Sequence, residues 1–580
     1  MSPLIPSFVR TSTPRPALIG IAVFLGTIYP PLWSLNELRV QAPFRYFAAD
    51  AFYYLAIARN SVGKDIYTYD GVRATNGFNP LWQYYLSAAF ARAPSNQEQQ
   101  LLFVFLSSAV FAALGTALFA VSLYALVRRP VLVLLATLPG FYYLAFSRLD
   151  AHFGAPWSFV NGMESGLSIL LFGLLSYLLF ARNVLAVITA WRLTLVSAVI
   201  TAIALSRLDD IFLFLPLFAL IVIRGSNWPE VARNAAPAAS VPLVVIGAYL
   251  LYNHHYSGMV LPISAVTKSY GLFHPVAWQN TLKELVSTLI PPRSPASEWT
   301  WSGAAWRSFQ LTVPVVCSFL WLLHTRRRLG DFRTRIHDMD HVSLVVLLIA
   351  VLYVCAKAGY NFFYVHLWDQ GHWYFPLNIM IANMLVLLFV DAFISGRRDL
   401  SENTQAAFAA SGWLSMAAAF AFVIVCGNAF VQLKHYSRYG ADFFNFWKER
   451  TSISSQLSRL QPAGGILEFD DGIVSYSLTR TTTNGMTLAG DAEELARSRQ
   501  GEMLDLAHER GIRLIASVWY MQDWPAAAFS DQAAFRAAVQ TLAWGQKTDS
   551  WKFSLLMHES SPEFHYVILA FEPATAPGLQ

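Results

Sequence analysis

A chain of 580 residues in which 55% of the side chains are hydrophobic and only 13% are charged is too apolar for a water-soluble protein of its size. Its mean hydropathy of +0.41 points the same way and predicts a polytopic α-helical membrane protein. The formal net charge of +5 does not mark a nucleic-acid partner, because the excess Lys and Arg sit in short segments between apolar runs, where they set orientation across the membrane. Cys317, Cys355 and Cys426 all fall inside apolar runs, where a thiol behaves as a small hydrophobe, so neither a disulfide framework nor a Cys-pair metal site is expected.

The first apolar run, residues 17 to 35, ends in Pro-Pro-Leu-Trp without a small-residue cleavage site and reads as a retained signal anchor. Basic clusters follow at Arg128 with Arg129, 182 to 192, 224 to 233, 324 to 335, and Arg397 with Arg398. Keeping every cluster on the cytoplasmic side predicts spans near 17–35, 101–127, 131–147, 164–181, 193–206, 211–223, 235–252, 307–324, 341–358, 373–396 and 406–430, about 11 crossings in all. The run 78 to 93 must then lie along the outer surface, because a crossing there would invert every later cluster. Pro80 suits the first turn of such a helix, and Trp82, Tyr84 and Tyr85 suit the headgroup level. This leaves a first outer loop from 36 to 100 and a charged break, Arg207-Leu-Asp-Asp210, between two short helices. Charges at such a break are tolerated only where they line a cavity or the interface. The aromatics around Tyr360, Tyr364, Trp368 and Trp373 read as interfacial anchors, with stacking on a sugar or a prenyl chain as the alternative. From about residue 431 the apolar runs shorten to strand length around a helical stretch, 492 to 510. This predicts an extracytoplasmic α/β domain at 431–580 after a transmembrane domain at 1–430.

Five pieces recur as a set: Asp50-Ala-Phe-Tyr-Tyr54, Thr75-Asn-Gly-Phe-Asn-Pro-Leu-Trp82, Asn161-Gly-Met-Glu-Ser-Gly166, Ser206-Arg-Leu-Asp-Asp210 and Leu261-Pro-Ile-Ser-Ala-Val-Thr-Lys268. Together they resemble the bacterial GT-C glycosyltransferases, over roughly residues 17 to 270, with the arabinofuranosyltransferase-like branch nearest and lipid A aminoarabinose transferases and protein O-mannosyltransferases more distant. Phe469-Asp-Asp-Gly-Ile-Val-Ser-Tyr476 looks like the start of the soluble domain common in that group. The resemblance implies a GT-C-like multi-pass enzyme of the bacterial inner membrane with a periplasmic C-terminal domain. Such an enzyme moves a sugar, with inversion, from a polyprenyl-phosphate donor to a hydroxyl of a glycan, lipid or protein acceptor.

It also implies roles. Asp50 matches the first-loop acid and is the candidate base; as a residue preceding a helical stripe it reads equally as an N-cap. The family commonly carries two adjacent acids here, whereas Ala49-Asp50 leaves one. Glu164 is the second candidate acid, against a reading as a first-turn carboxylate answering the helix dipole, with Gly162 and Gly166 allowing close approach of a ligand. Lys268 and Arg207, with Arg148 and His372 in reserve, are candidates for the departing phosphate. The alternatives are a loop lysine and a structural pair between Arg207 and Asp209 or Asp210. Tyr53, Tyr54, Asn76, Asn79 and Asp209 are candidates for binding sugar or acceptor. No cofactor is expected beyond the lipid-linked donor, no metal ligands are assigned, and a divalent metal stays open. Two other classes compete: a lipid-linked sugar transporter or flippase, which predicts matched halves with mid-membrane charges, and a non-catalytic envelope-assembly scaffold.

Overall fold

The computed structural model describes residues 15–38, 43, 47–48, 50–92, 96–137, 160–269, 339–360, 364–365, 376–396, 455–457, 459, 465–469, 472–478, 482–485, 487–520, 534–535, 537–539, 546–560 and 564–574. The spans expected at 307–324 and 406–430, the second half of 131–147, and Ala49, Arg148 and His372 lie outside these residues.

The first helix, α1 (Arg15–Leu38), packs on α4 (Gln97–Val127), with the first outer loop between them carrying α2 (Ala51–Asn60) and α3 (Pro80–Phe90). Helix α4 starts before the apolar run does, because the Asn96 side chain accepts from Glu98 N at 2.9 Å and caps it. Then come α5 (Pro130–Thr137), α6 (Ser165–Ser176, ending in a π turn, Tyr177–Ala181), α7 (Ala190–Ser206), a 3₁₀ turn (Leu208–Leu213) and α8 (Phe214–Arg224). Next are α9 (Trp228–Ser257), the short α10 (Ile263–Lys268), α11 (His341–Leu348, continuing through a π turn to Tyr360) and α12 (Pro376–Gly396). Among the described residues α4 and α9 are long and apolar enough to cross a bilayer alone, while α6, α7 and the first part of α11 are shorter apolar helices.

Two local solutions show how polar backbone is accommodated between these helices. Helices α4 and α6 meet backbone to backbone: a Cβ on Gly115 would lie 2.3 Å from the Ile169 carbonyl oxygen, and one on Gly173 would lie 2.1 Å from that of Gly115. Small residues at helix crossings serve this purpose where lipid supplies no hydrophobic drive. Helix α9 begins seven residues earlier than its apolar run predicts, because Asn227 accepts from Glu230 N while Glu230 accepts from Ser226 N. It then runs through Pro237 and Pro242. Pro242 has no N–H for the carbonyl four residues back, and that carbonyl, on Ala238, instead accepts from Ser197 Oγ of α7 at 2.5 Å. Ser197→Ala is therefore expected to destabilise the protein by about 1–3 kcal/mol, the cost of one orphaned buried carbonyl. A thermal melt of the protein in lipid nanodiscs that leaves the midpoint unmoved would remove this account.

The run at 78–93 does form a separate helix, α3, with Pro80 in its first turn, but Trp82 does not stand at the surface as expected. Trp82 is fully buried, donates to the Gly162 carbonyl at 3.2 Å and stacks on Tyr85 at 5.4 Å. Gly162 has φ +78, and a Cβ there would press to within 2.9 Å of the Phe47 ring, so its glycine serves packing rather than the approach of a ligand.

Beyond residue 465 a five-stranded mixed sheet has the order β2-β1-β3-β5-β4: β1 (Ile466–Phe469), β2 (Thr482–Asn484), β3 (Leu514–Tyr520), β4 (Trp551–Ser560) and β5 (Phe564–Pro573). Strands β2, β1 and β3 are parallel, and β5 pairs antiparallel with both β3 and β4. Between strands lie α13 (Ile473–Ser477), α14 (Ala492–Gln500) and α15 (Met503–Glu509). Alternation along the strands divides the apolar residues between two cores. Ile466, Leu514, Ala516, Tyr566 and Ile568 join the core that runs into the helical part, while Leu467, Phe469, Ile515, Val567 and Leu569 enclose a separate one with Met503 and Leu504.

The junction between sheet and first outer loop is polar as well as apolar. Arg59, in the last turn of α2, donates to the Ser475 carbonyl at 3.0 Å, the Leu478 carbonyl at 2.7 Å and the Tyr476 carbonyl, filling the acceptors at the end of α13. Tyr69 donates from the loop toward the buried Glu468 carboxylate at 2.7 Å, with Ser475 bonded to both. Burial, and then the neighbouring Glu468, hold the Tyr69 phenol well above its ordinary pKa.

Glu494 of α14 is enclosed beside Asp491, with Arg510 donating to both. Burial, and then the Asp491 charge, push its carboxyl up to about 8 against the Arg510 guanidinium. An acid that binds its proton more tightly folded than unfolded stabilises fully below its unfolded pKa, near 4.5, and loses that contribution as pH rises through about 8. Melting temperature should therefore fall from pH 5 to pH 9. Glu494→Gln should flatten that fall and gain a few degrees at the alkaline end, roughly, since Arg510 keeps Asp491 and Glu493. Parallel pH profiles for the two proteins would disprove it.

Candidate active site

Six stretches of chain far apart in sequence supply one pocket. Asp50 stands at the start of α2 in helical conformation and makes no capping bond with its side chain. The N-cap reading therefore fails: the carboxylate turns away from its own helix, and its Oδ2 lies 3.4 Å from Lys268 Nζ. Lys268 is the last residue of α10, which the buried Asn76 side chain seats by accepting from Ile263 N at 3.1 Å and donating to the carbonyls of Met259 and Leu261. Asn76 thus positions the lysine helix and does not line the pocket, contrary to its expected role in binding sugar or acceptor.

Glu164 sits just before α6, again without capping it, and its Oε1 accepts from Arg207 Nη1 at 2.8 Å. Arg207 leaves the end of α7 in extended backbone, and its Nε lies 3.0 Å from Asp209 Oδ1. Both sides of the guanidinium are thereby engaged by carboxylates, which favours the structural-pair alternative for this residue over direct phosphate binding. Asp209 also lies 3.6 Å from Lys357 Nζ of α11, and Lys357 pairs with Asp210, which accepts from Tyr353 at 2.6 Å. Lys357 and Asp210 are both fully buried. Asn79 ties the first loop to this network: its Nδ2 donates to the Tyr54 hydroxyl at 3.0 Å, and its Oδ1 accepts from Leu208 N at 3.4 Å. Burial, and then the nearby Glu164 carboxylate, keep the Tyr54 phenol well above its ordinary pKa, so it carries a proton at neutral pH.

Eight residues singled out in the sequence line this pocket: Asp50, Tyr53, Tyr54, Asn79, Glu164, Arg207, Asp209 and Lys268. They share it with Met163, Leu208, Pro262, Ala265, Val365 and Leu488, which make one side apolar, and the cavity measures about 120 Å³. Tyr360, expected as an interfacial anchor, also lines it and stacks on Tyr364 at 5.5 Å. Three acidic side chains, Asp50, Glu164 and Asp209, and two basic ones, Arg207 and Lys268, line the cavity. Among the described residues no group of three or more His, Cys, Asp or Glu side chains converges to hold a metal.

Sequence reasoning missed Lys357, Tyr353 and Leu488. A signal existed for the first: a lone lysine within an apolar run is costly unless paired. For Leu488, an ordinary leucine in a loop more than two hundred residues downstream of Lys268, roughly, there was none.

No protein-family model matches the chain, and no curated protein matches it in sequence. Solved structures that it resembles include the oligosaccharyltransferase of Archaeoglobus fulgidus in complex with zinc and sulfate, at 12% identity and a TM-score of 0.49 over 95% of this chain and 72% of that one. They also include ArnT from Cupriavidus metallidurans in the apo state, at 12% identity and a TM-score of 0.44 over 96% of this chain and 97% of that one.

Proposed function

We propose that the protein is an inverting glycosyltransferase of the bacterial inner membrane, acting on the outer side, with a polyprenyl-phosphate sugar as donor and a hydroxyl of an envelope glycan, lipid or protein as acceptor. An arabinofuranosyl donor is the first candidate on the sequence resemblance. The observation that carries the reading is the Asp50–Lys268 pair, 3.4 Å apart and partly open, in a pocket that joins charged side chains to a larger apolar lining. A carboxylate beside a cation is what a reaction needs when a hydroxyl must lose a proton while a phosphate departs.

In the transfer, Asp50 takes the acceptor's proton as the hydroxyl oxygen bonds to the anomeric carbon. The bond from that carbon to the phosphate oxygen breaks on the opposite face, and the lipid phosphate leaves with the electron pair. Lys268 stabilises the leaving phosphate. Arg207, held by Glu164 and Asp209, fixes the second acid and contributes its charge at longer range. Tyr54 and Asn79 offer hydrogen bonds to sugar hydroxyls, and the apolar side accommodates the first units of the prenyl chain. Because the sugar is already activated on the lipid, no nucleotide-binding loop is required.

The test is direct. Purified protein in nanodiscs is given radiolabelled decaprenyl-phosphate pentoses and undecaprenyl-phosphate hexoses together with bacterial envelope acceptors. Label should move from at least one donor to an acceptor, and failure of every donor either to transfer or to raise the melting temperature sinks the reading. A transporter is the second reading, favoured by the buried Lys357–Asp210 pair; it predicts movement of intact lipid-linked sugar between leaflets without loss of the sugar.

A further inference from the structure

The charged residues of the pocket come from the helical part of the chain, but one of its apolar residues does not. Leu488, in the connection between β2 and α14, lines the cavity together with Pro262, Ala265 and Lys268 at α10. That connection is fastened at several points. Thr75 Oγ1 of the first loop donates to the Gly490 carbonyl at 2.6 Å, and Leu488 N donates to Asn484 Oδ1 at 3.2 Å. Asp491 caps α14 by accepting from Glu494 N at 2.9 Å. Gly77 allows the closest approach, since a Cβ there would stand 2.2 Å from the Leu488 carbonyl oxygen. Thr487 takes φ +57, a conformation unusual for a β-branched residue and one held only where its surroundings fix it. The same sheet unit also holds the lysine helix, through the Thr267–Thr487 hydroxyl pair at 3.4 Å and the Arg499 bond to the Val266 carbonyl at 3.3 Å.

We propose that Leu488 is a specificity-determining residue: a side chain on a firmly anchored loop, supplied by the C-terminal unit, that limits the size of the sugar admitted to the pocket holding the Asp50–Lys268 pair. The inference rests on the glycosyl-transfer reading for its substrate class, and on geometry alone for the wall. A loose loop would yield to a larger ligand. This one is fixed at both ends and pressed against a glycine, so widening the pocket requires shortening the side chain. Apolar pockets discriminate by fit, and a change of a few methyl groups is worth roughly tenfold or more between substrates that differ in size.

Two readouts are taken on full-length protein in nanodiscs. The first is the ratio of transfer rates from decaprenyl-phosphate pentose and undecaprenyl-phosphate hexose donors. The second is independent of catalysis: in a background with Cys317, Cys355 and Cys426 replaced by serine, Ser264→Cys, on the pocket lining, is labelled with methanethiosulfonates of small and large head group. Leu488→Ala should move both the transfer ratio and the labelling ratio toward the larger species by about tenfold. Leu488→Trp should move them the other way, and the near-isosteric Leu488→Met should leave them unchanged, which guards against a fold defect in any one variant. If the wild type transfers sugar but Leu488→Ala slows or speeds all donors alike and leaves labelling unaltered, the wall is overturned and the glycosyltransferase stands. If the wild type transfers nothing while the labelling ratio shifts, the wall stands and the substrate class falls. If the wild type transfers nothing and the labelling ratio does not move, both are overturned.

Discussion

Asp50→Asn is expected to lower sugar transfer by roughly 10²–10⁴-fold, the range for loss of a general base, while leaving the protein folded and the donor bound. The substitution is isosteric and removes only the charge and the basic lone pair. The ion pair weakened is that with Lys268 at 3.4 Å, about a fifth to a quarter exposed on each side (22% and 24%). A pair open to that degree contributes little to stability, about 0–1 kcal/mol. Because the Asp50 side chain caps nothing, helix α2 has no reason to fray. Rates from single-turnover transfer, set beside donor affinity and a melting curve, separate the cases. A variant that keeps more than a tenth of the wild-type rate, roughly, rules Asp50 out as the base, and a fall in melting temperature equal to that of a core truncation assigns it a structural role instead.

Arg207→Met should behave in the opposite way, costing the fold about 3–5 kcal/mol. The guanidinium lies between Glu164 and Asp209 with side chains only 1–11% exposed, and removing it leaves two carboxylates in a closed space with Lys357 as the remaining neighbour of Asp209. Breaking one side of a buried pair is expensive because the surviving charge keeps its desolvation cost. The second substitution Glu164→Gln should recover part of the loss, since it withdraws one stranded charge. Arg207→Lys should not, because one ammonium cannot occupy the places of both Nη1 and Nε. Melts of the single and double variants form the cycle. Were Arg207 chiefly a phosphate ligand, Arg207→Met would instead weaken donor binding with an unchanged melt.

The parts of the site that a sequence reader finds are those at helix ends. Asp50, Glu164 and Arg207 each stand where an apolar run begins or stops, and a charge at such a boundary is conspicuous against its neighbours. Their distances and partners were less legible. Whether Asp50 caps α2 or faces a lysine 218 positions away depends on packing that no local pattern encodes. Asn76 illustrates the same limit, because a motif position beside the pocket proved to be the peg that seats α10. Trp82 was misassigned because amphipathic aromatics serve both membrane interfaces and cores, and only the tertiary contact with Gly162 decides between them. Helix α9 exceeded its apolar run because capping chemistry and a borrowed hydroxyl carried it past two prolines.

The clasp between Arg59 and α13 joins atoms 416 residues apart in the chain. Arg59 is made early and its carbonyl partners late, so through most of synthesis the guanidinium is without these acceptors, and the loop bearing Asp50 lacks its final support. Contacts of such separation form last, after the loop between them has been closed. The site therefore matures only when the last quarter of the protein arrives, about a minute or less after the first loop at ordinary elongation rates. A ribosome stalled before that point holds a nascent chain whose acids are synthesised but whose pocket is unfinished.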